Sequence, residues 1–201
     1  LKRADRDAKE GVVYAMVSAD GKKGVVIRLS SETDFVAKNE DFVNLAKEFT
    51  QIALDTFPAD LETLLKQPYQ NITIGEKVSE QVGVIGEKIE LADYQQIEAP
   101  QVVSYIHMGN KAGVILGLNN ADAKFRDAGR DVAMQVAAMK PVALDKDGVD
   151  ASIIEKEIEI GKELARQEGK PEDMLEKIAL GKLNRFFKDL TVTAFKHVKL
   201  G

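Results

Sequence analysis

One order of elements runs through this chain twice, and it leaves few folds open. Residues 12–18 (VVYAMVS) and 23–30 (KGVVIRLS) are rich in β-branched residues, and Asp20-Gly21 stands between them. Asp-Gly supplies the positive φ angles that a tight hairpin turn demands, so this stretch reads as a β-hairpin. A helix follows, with Phe42, Leu45, Ala46, Phe49, Ile52 and Ala53 on one face at helical spacing. Asn39 is its expected N-cap, Glu40 and Asp41 complement the dipole in the first turn, and Pro58 lies beyond its end. A short helix is expected near 60–66, before Gln67-Pro68. Thr73 and Glu76 make a capping box that opens a helix running to about Ile85, with Val78, Val82 and Ile85 inward. Residues 88–97 (KIELADYQQI) then read as a strand.

At Pro100 the pattern restarts. Residues 102–108 (VVSYIHM) and 111–118 (KAGVILGL) read as strands joined at Gly109-Asn110. A helix follows, with Phe125, Ala128, Val132, Val136 and Met139 expected on its inner face, ending before Pro141. Ser152 and Glu155 suggest a second capping box, for a helix to about Glu168; Gly169 and Pro171 punctuate the link to another, about 172–187. The closing segment Leu190-Thr191-Val192-Thr193-Ala194-Phe195 is strand-like.

Lys23-Gly24-Val25-Val26-Ile27 in the first half parallels Ala112-Gly113-Val114-Ile115-Leu116 in the second. The expectation is an α+β fold of two related subdomains, each a three-stranded antiparallel sheet with helices packed on one face. The boundaries place a linker remnant at 1–10, one subdomain at 11–98 and the other at 99–201. Apolar sheets of this kind could also pair between copies, as a homodimer.

Several function classes find no support. With 44% hydrophobic residues in 201 and a mean hydropathy of −0.21, the composition is that of an ordinary globular protein. No apolar run approaches the roughly 18–20 residues of a membrane helix. The start, Leu1-Lys2-Arg3-Ala4-Asp5, reads as neither a signal nor a transit peptide and looks like the middle of something longer. Cysteine is absent, which excludes thiol chemistry and fits a reducing compartment. A net charge of −5, with acids and bases interspersed, argues against a nucleic-acid groove. Neither phosphate-cradling glycine loop nor a nucleophile elbow is present. The two histidines, His107 and His197, belong to no zinc motif, so no metal or cofactor is expected. Glu155, Glu157 and Glu159, with Lys156 and Lys162 nearby, read as a solvated helix face. No motif supports a small-molecule enzyme.

Two places stand out. In Glu32-Thr33-Asp34-Phe35-Val36-Ala37-Lys38-Asn39 an acid and a large aromatic stand side by side between a strand and a helix. The residues alone favour burial of Phe35, with Asp34 capping a turn. His107, just before the Met108-Gly109-Asn110 turn, is either a half-buried strand histidine with its ring satisfied or a contact residue at a hairpin end.

Those eight residues resemble the signature of the elongation factor Ts family, the guanine-nucleotide exchange factors of elongation factor Tu. Lys2-Arg3-Ala4-Asp5-Arg6 with Gly11, Ile85-Gly86-Glu87, Ser104-Tyr105-Ile106-His107 with Lys111-Ala112-Gly113-Val114, and Gly169-Lys170-Pro171 followed by Gly181-Lys182-Leu183-Asn184-Arg185-Phe186-Phe187 resemble further family segments, in order, over nearly the whole chain.

The resemblance implies an exposed Phe35 after all. It implies that Thr33, Asp34, Phe35 and Val36 enter the nucleotide domain of elongation factor Tu and disturb its Mg²⁺ site, and that Ile85, Gly86 and His107 make further contacts there. GDP leaves and GTP rebinds, with no bond chemistry and no nucleotide held by this chain. It further implies a bacterial cytoplasmic protein, an organelle matrix being the lesser expectation. Two departures from the family pattern stand beside this. The sequence begins in the linker after the family's N-terminal helical module, and Phe186-Phe187-Lys188 passes almost directly into Asp189-Leu190-Thr191-Val192, where relatives commonly carry an inserted helical hairpin. The alternative is therefore a passive elongation factor Tu-binding protein without exchange activity.

Overall fold

The computed structural model describes residues 7–141, 143, 145–188 and 195–199. The fold is α+β, and it packs as two units, Leu1–Lys140 with Ala194–Gly201, and Pro141–Thr193. The boundary expected near residues 98–100 falls inside the first unit, between two sheets.

The first sheet holds β1 (Glu10–Val17), β2 (Lys23–Ser31) and, after the intervening helices, β5 (Glu90–Glu98), all antiparallel with β2 in the centre. Gly21, at φ 70, makes the β1–β2 turn, and the Asp20 carboxylate braces it by accepting the Ser18 hydroxyl at 2.6 Å and the Lys22 amide at 3.0 Å. Between β2 and β5 run α1 (Asp34–Ala37), α2 (Glu40–Thr56), α3 (Leu61–Leu65), the two-residue strands β3 (Pro68–Tyr69) and β4 (Ile72–Thr73), and α4 (Ile74–Ile85). Asn39 caps α2, and Thr73 with Glu76 forms the expected capping box of α4.

The second sheet repeats this order. β6 (Gln101–His107) and β7 (Ala112–Leu118) form the hairpin, then α5 (Arg126–Met139) follows. β8 (Phe195–Lys199) returns beside β7, which is central. The closing strand expected at 190–195 falls, apart from Phe195, outside the described residues, and Phe195 is the first residue of β8.

A strand sends alternate residues to opposite faces, and both faces of β2 are used. Val25, Ile27 and Leu29 join Val12, Ala46, Phe49 and Ile74 in a core beneath the helices, where the Phe49 and Tyr69 rings meet edge to face with centroids 5.5 Å apart. Val26, Val13 and Ala15 turn the other way and pack on Ile115 of the second sheet. Burial on two sides explains why Val25-Val26-Ile27 is continuously apolar rather than alternating.

The paired glycines of the repeat are points of close approach in this packing. A Cβ on Gly24 would lie 2.6 Å from Val102 Cγ1, and one on Gly113 would lie 2.8 Å from Val13 Cγ1. Backbone bonds also tie the two sheets, from the Val13 amide, midway along β1, to the Asn110 carbonyl (2.7 Å) and from the Val102 amide to the Gly21 carbonyl (2.6 Å).

The inner face of α5 differs from the expectation. Gly129, Ala133, Val136 and Ala137 are buried, whereas Phe125, Ala128 and Met139 are exposed. Small residues let the helix axis come close to the sheet: a Cβ on Gly129 would lie 2.9 Å from Leu118 Cδ1 and 3.3 Å from Val103 Cγ2. Backbone proximity, not side-chain size, selected the face.

The second unit contains α6 (Ala151–Gln167) and α7 (Leu175–Lys188). α6 starts earlier than expected: Asp150, not Ser152, is the N-cap, and its carboxylate accepts both the amide and the hydroxyl of Ser152. Gly169, at φ 71, ends the helix, with the Gly169 amide bonded to the Arg166 carbonyl and the Lys170 amide to the Ala165 carbonyl. This is the Schellman pattern, which needs a left-handed residue at that point. Gly161 lies against Ala179, at 3.1 Å from an added Cβ to Ala179 Cα, so small residues again set the helix separation.

Candidate functional site

Residues 32–39 form a tip between β2 and α2. Thr33 Oγ1 accepts the Val36 amide at 3.4 Å and so caps α1, and Asn39 Oδ1 accepts the Asp41 and Phe42 amides at 2.8 and 3.4 Å and so starts α2. Two caps this close leave room for a single helical turn. Successive side chains on a helix diverge by about 100°, so Phe35 and Val36 cannot share a direction. Val36 packs on the core of the first sheet, and Phe35 stands 84% exposed. Burial of Phe35, which the residues alone favoured, is corrected here.

Asp34 does not cap the turn. Its carboxylate takes a hydrogen bond from Lys38 Nζ at 2.6 Å, one helical turn on. That bond and the Lys38 charge hold the Asp34 carboxyl below its ordinary 3.8, and Lys111 of the β6–β7 turn adds to the effect. Asp34 in return raises the Lys38 ammonium.

The tip is held from the end of α4. Gly86, at φ 82, is the left-handed C-cap of α4 and donates its amide to the Val82 carbonyl at 3.1 Å. The chain then turns, and the Glu87 carboxylate meets the tip. Oε2 accepts the amides of Glu32 and Thr33, both at 3.1 Å, and Oε1 accepts the Thr33 hydroxyl at 2.6 Å. The exchange is mutual, because Glu32 Oε1 accepts the Lys88 amide at 2.6 Å.

Beside this clamp lies an open groove of about 360 Å³, lined among others by Phe35, Val36, Phe42, Val84 and Ile85. Ile85 is half-buried against the core, while Val84, off the inward face of α4, is 74% exposed.

His107 ends β6. Its ring is half-buried and its Nδ1 lies 2.9 Å from the Tyr105 hydroxyl, so the histidine is both satisfied and at the hairpin end. Met108, Gly109 and Asn110 all have positive φ (52, 61 and 68), and the Lys111 amide bonds back to the His107 carbonyl at 3.1 Å. An L-residue held left-handed costs about 1 kcal/mol or more, and here the cost displays Met108 in solvent, 71% exposed.

These pieces converge. Glu87 binds Thr33, Ile85 and Val84 share the groove with Phe35, and Lys111, at the far end of the turn that His107 begins, acts on Asp34. Val84, Met108 and the clamping role of Glu87 escaped the sequence reading. The signal for Val84 was an apolar residue off the Val78, Val82 and Ile85 face; Glu87 stood in the Ile85-Gly86-Glu87 segment, but nothing local signalled its clamping role, since its partners are distant in the chain. Among the described residues, no group of three or more His, Cys, Asp or Glu side chains could hold a metal ion, and no helix is long and apolar enough to cross a membrane.

The arrangement offers no convergent acid, base and nucleophile; it offers an exposed aromatic on a turn held by hydrogen bonds. The sequence profile described as Elongation factor TS matches residues 32–199. The protein named elongation factor Ts from Christiangramia forsetii is 52% identical over 198 residues, covering 98% of this chain and 72% of that one. The proteins of the same name from Cytophaga hutchinsonii (50% over 199 residues, 98% and 72% covered) and Flavobacterium psychrophilum (48% over 197 residues, 98% and 71% covered) are similar.

Proposed function

The chain belongs to the elongation factor Ts family of translation elongation factors, and from that premise we propose that it binds elongation factor Tu carrying GDP and promotes GDP release. Phe35 enters the partner's nucleotide domain, with Thr33, Asp34 and Val36 around it, and Ile85, Gly86 and His107 contact the same domain. The observation that carries this reading is the 84% exposure of Phe35 on a turn braced by Glu87. A large aromatic left in water is available to a partner, and burying it there contributes roughly 1.5–3 kcal/mol.

No bond is made or broken by this protein, which acts through its partner's affinity for nucleotide. The wedge displaces the region around the partner's Mg²⁺, and losing that charge loosens the phosphates. Binding of factor and of nucleotide then oppose each other by the same free energy in both directions, so GTP in excess rebinds and expels the factor.

The test is release of labelled GDP from elongation factor Tu. Substoichiometric protein speeds release, and Phe35→Ala weakens the effect by about 2 kcal/mol, roughly 30-fold. Unchanged exchange with Phe35→Ala would sink the wedge mechanism. Tight binding to elongation factor Tu without faster GDP release would leave a passive binding protein instead.

A further inference from the structure

α1 is four residues long and contains no buried residue. A single turn of helix is far below the length at which helices persist alone, and it has little apolar contact beneath it beyond Val36. Yet the proposed action needs Phe35 to be presented in one direction. What holds the turn is polar and comes from far along the chain. One carboxylate, Glu87, receives the Glu32 amide, the Thr33 amide and the Thr33 hydroxyl. The Lys88 amide returns a bond to Glu32, and the Ser31 hydroxyl donates to the Thr33 carbonyl at 3.0 Å. Hydrogen bonds to an ionised acceptor are about twice as strong as neutral ones. Those to Glu87 fall on the residues where the chain leaves β2 and enters α1, so they set the direction in which the turn emerges.

We propose that Glu87 is a positioning residue for nucleotide exchange: its carboxylate fixes the Glu32-Thr33 backbone and thereby keeps Phe35 in its binding-competent orientation before the partner arrives. This rests on the exchange reading above. Without the clamp, the turn samples other orientations, and the apparent affinity for the partner falls by the fraction of time it is competent. The partner can still select the competent state, so the maximal rate is retained.

The experiment compares the wild type, Glu87→Ala, Glu87→Gln, Phe35→Ala and the Glu87→Ala/Phe35→Ala double variant by labelled-GDP release from elongation factor Tu over a range of factor concentrations. Glu87→Ala is expected to raise the half-saturating concentration about tenfold with the plateau rate unchanged. Glu87→Gln, whose amide oxygen can still accept the two backbone N–H groups, recovers most of that loss. Phe35→Ala costs less in the Glu87→Ala background than in the wild type, because an unpositioned Phe35 has less to lose. A half-saturating concentration within twofold of wild type for Glu87→Ala, or losses that simply multiply in the double variant, would overturn the positioning role.

A second readout needs no partner. In the free protein, hydrogen exchange at the Glu32 and Thr33 amides accelerates in Glu87→Ala while that of Val26, in the middle of β2, stays as in the wild type. Acceleration at all three would show general unfolding and overturn the assignment. The two proposals fail separately: Phe35→Ala without effect in the wild type removes the wedge, whereas a full Phe35→Ala effect that Glu87→Ala does not diminish removes the positioning.

Discussion

Gly113 faces Val13 across the junction of the two sheets, so closely that a Cβ on Gly113 would lie 2.8 Å from Val13 Cγ1 and 3.1 Å from Val26 Cγ2. No real Cβ tolerates the first distance, and both neighbours are fully buried. Gly113→Ala therefore forces the sheets apart or the valines off their rotamers. Overpacking of this kind costs about 1–3 kcal/mol. Denaturant unfolding should show a lower midpoint at unchanged slope; an unchanged midpoint would mean that the sheets have slack at this point.

Val84 shares the groove with Phe35 and has little packing of its own to lose. Val84→Asp should cost no more than about 1 kcal/mol of stability, because the side chain is exposed and the acid only opposes the dipole in the last turn of α4. Under the exchange reading it places a charge where an apolar partner surface would sit, and the half-saturating concentration for GDP release should rise about tenfold or more. Full exchange activity would put Val84 outside the contact.

Asp34 should titrate below 3.8 by NMR, and Lys38→Ala should move it upward, because the Lys38 hydrogen bond is the first cause of the depression. The folded-state value is lowered, so the pair's contribution is present above the unfolded value and disappears as pH falls through the folded one. Near neutral pH Asp34 stays charged, and exchange should show no step belonging to it.

Tyr69 is pushed up to about 12, first by burial and then by the hydrogen bond its hydroxyl donates to Glu48 at 2.6 Å. A phenol raised in the folded state contributes stability that is complete below its ordinary 10 and lost as pH climbs toward 12. Alkaline ultraviolet titration should show a late phenolate that is absent from Tyr69→Phe. Burial raises Tyr94 as well, so one further late phenolate should remain in that variant.

Features with local causes are legible in the order of residues. The Asn39 cap, the Thr73–Glu76 box and the Gly169 stop each join residues a few positions apart, and the β-branched runs around Asp20-Gly21 carry their own turn. The doubling of the fold is legible for the same reason, since each repeat is written in such local signals. On α5 side-chain size misleads. Phe125 and Met139 outweigh Gly129, Ala133 and Ala137 by bulk, although the small residues are the ones a nearby sheet can accept.

The position of Phe35 shows where residue physics stops. Hydrophobicity says that a Phe beside a Val prefers burial, and one of the pair, Val36, is indeed turned to the core. Which of the two goes in depends on the phase of a one-turn helix, and that phase depends on Thr33 being held by Glu87, far along the chain. Periodicity and capping are short-ranged, so the chain's order alone specifies the longer elements, most of their ends and the family signature. The exposure of Phe35, the glycine-lined meeting of the two sheets and the clamp at the tip arise from groups distant in sequence meeting in space. Hydrogen bonds and steric contacts of that kind leave no period to read, and so only the folded chain decides them.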